Sequence, residues 1–242
     1  MDGTFVKELE RIIDNGYHTG QFIDIKGRTF LFEGNKAREI EEKELAPHGV
    51  EFSDLTSFCK IINEEMHRLG TEKLFVKVNG PEWVETLSTL NEKMTRIYPY
   101  AANSRTPRFE FGTWLNYEDF VIGLRAKFVQ TEDRDSIIKT IASIVNCDSQ
   151  EMQDDGITQT VKTQKGTQLG QKETKSIVRL QPFRTFTEVY QPESEFLFRI
   201  RNNGTQFALF EADGGKWVEE AKHAIKLYIE EQIKDERVVV LV

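Results

Sequence analysis

Glu211 and Asp213 stand two residues apart at the end of the strand-like run QFALFEAD, so their carboxylates share one face. Two acids at that spacing, with Lys216 close behind and Asp154 or Asp155 as a third ligand, suggest a metal-dependent nuclease. The pattern departs from that chemistry at one point. A nuclease strand of this kind carries its lysine two positions after the acid, and here that position is Asp213. A structural reading competes: Asp213 caps a helix that begins near Lys216, and Gly214-Gly215 makes the turn.

The second candidate is cationic. Arg179, Arg184, Arg199 and Arg201 are interleaved with Phe183, Phe186 and Phe198. Arginines beside aromatic faces grip phosphates and stack bases, so Arg179, Arg184, Phe186, Arg199 and Arg201 form a candidate surface for an anionic ligand or a partner. Glu188, Glu193 and Glu195 lie among them and offer ion-pair partners, which would make the same strands ordinary sheet surface. No RNP motif or OB-fold signal accompanies the arginines. Phosphate-cradling glycine loops and nucleophile elbows are missing as well, and DGGKW is too short to wrap a phosphate. The four histidines, at 18, 48, 67 and 223, are scattered without a second ligand at zinc spacing. No catalytic set, cofactor or metal is expected.

Composition frames these candidates. The 242 residues are 38% hydrophobic and 30% charged, enough for one large domain or two small ones. The 17 Phe, beside 6 Tyr and 3 Trp, point to a core of aromatic strands. A net charge of −8 argues against a protein that coats DNA non-specifically, yet residues 159–209 hold eight Lys/Arg against four Glu. No apolar run approaches the ~20 residues that span a bilayer, and MDGTFVKELERIID has no signal-peptide core. An intracellular protein with no membrane partner is expected. Cys59 and Cys147 cannot build a disulfide framework, and Cys59 falls on an apolar helix stripe.

The elements that must hold these residues can be read from periodicity. A short helix is predicted over 4–14, a hairpin over 21–32 bending at Lys26-Gly27, and a charged connector over 34–48. The connector divides residues 1–48 from a main domain, 49–242. A helix starts at Ser53 or Asp54, buries Leu55, Phe58, Cys59, Ile62, Met66 and Leu69, and stops at Gly70. Residues 73–80 alternate as a strand, 94–98 read as another, and 99–113 as a loop. Helices follow at 117–128 (Phe120, Val121, Leu124, Phe128) and 133–146, the second capped by Asp133, before an acidic turn at 147–155. Residues 157–163, 176–183 and 185–191 read as strands, with 164–174 a polar arm or exposed loop. A type I′ turn at Asn203-Gly204 pairs Ile200 with Phe207 and Phe198 with Leu209, which keeps one face apolar. A last helix turns Val218, Ala221, Ile225, Tyr228 and Ile229 inward. The run RVVVLV (237–242) either completes the protein's own sheet, the favoured reading, or joins a neighbour's.

At DGITQTV (155–161), LQPFRTFTEVYQPESEFLFRIR (180–201) and ALFEADGGKWVEEA (208–221) the chain resembles the YfdQ-like family of phage and prophage proteins, a family without an assigned activity. VEFSDLTSFCKIIN (50–63) is similar to that family's helix start. The resemblance implies a phage or prophage accessory protein of the bacterial cytoplasm, and it assigns no residue a role.

These readings converge on an α+β protein: a helical and mixed N-terminal part, then a mostly antiparallel sheet covered by helices. The expected function is non-enzymatic binding of a host or phage protein, as in counter-defence or host takeover, by a homo-oligomer. DNA binding in a recombination or replication region is the alternative, and a nuclease built on Glu211 and Asp213 is the third.

Overall fold

The computed structural model describes residues 21–25, 28–33, 36–40, 49–91, 94–145, 149–154, 158–165, 168–201 and 205–242. The helix predicted over 4–14, Cys147, and the bends at 26–27 and 203–204 lie outside them. The chain divides into two compact units, Met1–Pro47 and His48–Val242. In the first, β1 (Gln21–Ile25), β2 (Arg28–Glu33) and β3 (Lys36–Ile40) form an antiparallel meander in which Gln21 faces Phe32 and Thr29 faces Ile40. The hairpin is as predicted. The connector is not, because its first residues are the third strand: Lys36, Arg38 and their neighbours pair through the backbone, which does not require apolar side chains.

The second unit holds two cores. The first is built on a five-stranded sheet of β4 (Val50–Phe52), β5 (Leu74–Gly80), β6 (Trp83–Ser88), β7 (Tyr100–Asn103) and β15 (Val238–Leu241), ordered β15-β5-β6-β7-β4. The central strands form an antiparallel meander, and both outer strands pair parallel to their neighbours. Burial alternates along β5, with Leu74, Val76 and Val78 inward and Lys77 and Asn79 outward. Helices α1 (Leu55–Glu65) and α4 (Lys216–Gln232) cover that inner face, placing Phe58, Ile62, Ile225 and Ile229 against it.

Helix α1 starts where the sequence predicts, since Asp54 accepts from the Ser57 N–H at 2.7 Å. A second carboxylate, from Glu188, accepts from the Leu55 N–H at 2.6 Å and also satisfies Thr56. Residues 94–98 are not a strand. Asn91 closes a turn there, accepting from Met94 through its carbonyl and from Thr95 through its side chain. The strand β7 lies instead inside the predicted loop, where Tyr100 and Ala102 are buried.

The second core is the aromatic one. Its four-stranded antiparallel sheet is ordered β12-β13-β14-β8, from β12 (Ile177–Leu180), β13 (Ser194–Arg201), β14 (Gln206–Glu211) and β8 (Leu115–Asn116). Ile200 faces Phe207 and Phe198 faces Leu209, the register predicted from the apolar alternation. Helices α2 (Tyr117–Lys127) and α3 (Glu132–Val145) close the inner face with Phe120, Leu124, Ile137, Ile141 and Ile144. Phe109 meets Phe120 and Phe128 edge-on at 5.9 and 5.1 Å, and Phe111 stacks on Phe196 at 4.9 Å. Each fully buried ring contributes roughly 1.5–3 kcal/mol by leaving water, with about 1 kcal/mol more from such pairing. Gly123, not Val121, is the buried small residue of α2, and a Cβ there would lie 2.8 Å from the Phe109 ring.

Asp133 does not cap α3. Thr131 does, accepting from the Arg134 N–H, which frees Asp133 to accept from the Arg179 backbone and tie the helix to β12. Residues 147–155 contain a strand and not only a turn: β9 (Ser149–Asp154), β10 (Thr158–Lys165) and β11 (Gln168–Lys175) form a polar antiparallel meander. It runs into β12 after a single residue, Ser176. Residues 185–191 are likewise no strand but a folded loop. Finally, β15 pairs parallel with β5 of its own sheet.

Candidate functional site

The loop between β12 and β13 carries Arg184 to the seam between the two cores. Pro182 ends β12 by lacking a donor, and the Phe183 N–H donates to the Lys127 carbonyl at 2.8 Å. The Thr185 hydroxyl donates to the Pro81 carbonyl at 2.5 Å, pinning the loop to the β5–β6 turn. Gln191 then closes the loop from inside. Its amide donates to the Phe186 and Val189 carbonyls, and its oxygen accepts from the Arg184 N–H. Phe186, expected on a binding surface, is 1% exposed and packs in the first core. The loop's β-forming residues bury their side chains there, and Gln191 takes up the polar groups that a strand ladder would have paired.

The Arg184 side chain is 6% exposed and is surrounded on nearly every side. Nη1 donates to Glu211 Oε1 at 2.8 Å, and Nη2 donates to the Ser194 hydroxyl and lies 3.9 Å from Asp213 Oδ2. Its guanidinium lies 3.9 Å over the Trp217 ring, with the Phe196 ring on another side at 5.8 Å. Burial lowers its pKa to about 10 against the support of Glu211 and Asp213, so it stays charged at neutral pH. Burial pushes the Asp213 carboxyl up, but the Ser194 hydroxyl, the Gly215 N–H and Arg184 outweigh it and hold the group below its ordinary range.

The geometry gives Glu211 and Asp213 a shared partner. Both carboxylates turn to one guanidinium, and Asp213 also accepts from the Gly215 N–H at 3.1 Å where α4 begins. Among the described residues no cluster of three His, Cys, Asp or Glu side chains could hold a metal. The side chains of Asp154 and Asp155 are outside the description.

The structure separates the remaining arginines from Arg184. Arg179, Arg199 and Arg201 sit on the outer face of the second sheet, opposite the aromatic core. Arg179 pairs with Glu195 at 3.0 Å, and Arg201 binds Gln206 Oε1 at 2.8 Å while lying 4.1 Å over the Trp114 ring. Trp114 meets Phe210 edge-on at 5.9 Å. Phe210 faces Leu197, which faces Ile177, so an apolar row crosses three strands between the charged residues. Ile177 is 54% exposed at the end of that row.

A second feature adjoins Arg184. A cleft of about 460 Å³ is walled by Phe109, Phe111, Phe183 and Val218, with Arg184 and Trp217 also lining it. Glu82 and Arg108 stand at it, joined by hydrogen bonds, one of them 3.1 Å from Arg108 Nε. Trp114, Trp217 and Phe210 carry no signal in the sequence that would have chosen them. Each matters through a partner on another element.

Comparison of the chain with family models, with curated proteins and with solved structures found no match.

Proposed function

We propose that the chain is a non-enzymatic binding protein, of the phage or prophage accessory kind that its sequence resemblance implies. It engages a host or phage protein through the outer face of the β12-β13-β14-β8 sheet. The observation that supports this most is the row formed by Arg201 over Trp114, with Phe210 beside them. Tryptophan and arginine are the side chains that most often anchor protein interfaces, and here they stand at the outer face of a sheet with an apolar row at their side. The neutralisation of Glu211 and Asp213 by Arg184 weighs against the nuclease reading.

Nucleic acid is the second reading, favoured by the charge of this face: Arg179, Arg199 and Arg201 against Glu195. Capture from an infected or lysogenic host, run beside Arg201→Glu and Trp114→Ala proteins, tests the first reading. A partner held by the wild type and released by either variant is the expected result. A partner held equally by all three would remove the sheet face from consideration. Gel shifts with single- and double-stranded DNA at two salt concentrations test the second, because phosphate contacts weaken steeply with salt.

A further inference from the structure

We infer that β15 is an open sheet edge on which a second copy of this chain docks, the two β15 strands pairing antiparallel about a two-fold axis at Val240. The contact is separate from the outer sheet face, on which the function proposed above rests.

β15 ends the five-stranded sheet, with β5 on one side and no strand among the described residues on the other. Natural sheets blunt such edges with charges, prolines, bulges or short strands, because an open ladder recruits another chain. The other edges of the two cores are blunted: β4 has three residues and β8 two, and the Arg179 N–H of β12 is held by Asp133. β15 has no such guard. Val238–Leu241 is wholly apolar and keeps an unbroken register with β5. It continues into Val242, with Leu241 41% and Val242 53% exposed.

The backbone selects the partner. The Leu74 N–H donates to the Arg237 carbonyl at 3.0 Å, and Val238 stands opposite Leu74. In a parallel ladder this turns the polar groups of residues 237, 239 and 241 toward β5, and those of Val238, Val240 and Val242 outward. The Val238 N–H is already used, donating to the Asp235 carbonyl at 2.9 Å. A second β15, antiparallel with Val240 opposite Val240, matches what is left to itself. The two Val240 residues exchange both bonds, and each Val242 N–H meets the other copy's Val238 carbonyl. Only the Val242 carbonyl, at the margin of the pair, is left to water. Shifting the strands by two residues, to set Val238 opposite Val240, would instead face each Val240 carbonyl with an N–H already spent.

Side chains and charges agree with this pairing. Opposite residues share a face, so Val239 meets Leu241 on the outer face and valine meets valine on the inner one. Ile229, Ile233 and Val238–Val240 line a groove of about 420 Å³ between α4 and β15, beside charged residues at 230 and 234–236. No residue of β5 lines it, so it lies on the outer side of β15, where the second copy's inward valines would be placed. Within 237–242 only Arg237 is charged, and it pairs with Asp235 at 2.6 Å, so the two strands set no like charges opposite each other.

Sedimentation equilibrium of the full chain should show a dimer. Val240→Pro removes both central donors and should weaken it by about tenfold or more. The lost N–H faces outward, so the β5–β15 ladder and the circular dichroism spectrum should be kept. Mixing Val239→Cys protein with Leu241→Cys protein tests the register, since these positions would lie about 4.5 Å apart at Cα, within disulfide reach. Mild oxidation should join the two proteins through positions 239 and 241 faster than it joins either to itself, because like positions lie diagonally. A monomer at up to about 100 µM, a dimer unchanged by a folded Val240→Pro protein, or crosslinking without preference for the mixed pair would each overturn the proposal. If Val240→Pro fails to fold, the mixed crosslink decides. Arg201→Glu should leave the dimer intact, so failure here is separable from failure of the sheet-face reading. A dimer dissociated by Arg201→Glu would move the contact to that face and overturn the β15 pairing.

Discussion

Arg184 Nη1 donates to Glu211 Oε1 at 2.8 Å, and that bond ties the inter-core loop to the last residue of β14. The same guanidinium lies over Trp217 in the first turn of α4. One side chain therefore joins a loop, a strand and a helix that belong to different cores. Replacing Arg184 by Ala leaves Asp213 and Glu211 without their cation, and the expected cost is about 3 kcal/mol, the low end for a broken buried pair because Glu211 is half exposed. Urea unfolding measures it. Glu211→Gln keeps an acceptor for Nη1 and should cost about 1 kcal/mol.

The acid limb of stability carries a signature of Asp213. Its folded pKa lies below the ordinary 3.8, so its contribution is present above that value and is lost as pH falls further. Urea midpoints for the wild type and Asp213→Asn should therefore differ at pH 6 and converge below pH 3.8. A constant difference across that range would show that the carboxylate charge has no part in the stabilisation.

Gly123→Ala separates two opposed effects on α2. Alanine gains about 1 kcal/mol of helix propensity, but its Cβ would lie 2.8 Å from the Phe109 ring inside a packed aromatic cluster. Overpacking of this kind costs roughly 1–3 kcal/mol. The expected result is net destabilisation in thermal or urea unfolding, and a stabilised variant would show that Phe109 can yield.

Cys59 should be inert in the native protein. Burial, with the charges of Glu188 and Asp54, pushes its thiol up to about 12. A thiolate about a thousandfold scarcer than in a free thiol reacts correspondingly slowly. Mass spectrometry of the peptide carrying Cys59, after alkylation at pH 8, should find it unmodified until urea is added.

Glu188→Ala tests the second cap of α1. Losing the 2.6 Å acceptor of the Leu55 N–H should cost about 1 kcal/mol. A double variant with Asp54→Ala should cost more than either single change, since the two carboxylates serve different N–H groups.

What the sequence disclosed followed from local rules. The Phe198–Leu209 register was legible because a one-residue slip would have turned phenylalanine to the polar face. Asp54 was legible because its acceptor reaches the chain three residues on. The missed strands have a common reason. Lys36–Ile40 and Ser149–Asp154 are too polar to show an apolar alternation, and Tyr100–Asn103 is short and follows a proline. Residues 185–191 misled in the opposite sense, since threonine, phenylalanine and valine favour strands while Pro182 and Gln191 dictate a loop. The site itself was half visible. Arg184, Glu211 and Asp213 were each singled out, but in opposed roles, and their union is a tertiary event that no spacing encodes. Glu188 at the start of α1 is another, its donor and acceptor lying 133 positions apart in the chain.

The pairing of Val238 with Leu74 has a kinetic consequence. These partners are separated by more than half the chain, and the aromatic core lies between them as an inserted body. Docking the two strands while that body is uncollapsed would mean closing a very long flexible loop, at a large entropic cost. Once the insert has condensed, its two ends lie near each other, with the Gly112 N–H donating to the Leu209 carbonyl at 2.8 Å. The aromatic core should therefore gain its protection from hydrogen exchange first during refolding, and the β5–β15 amides last.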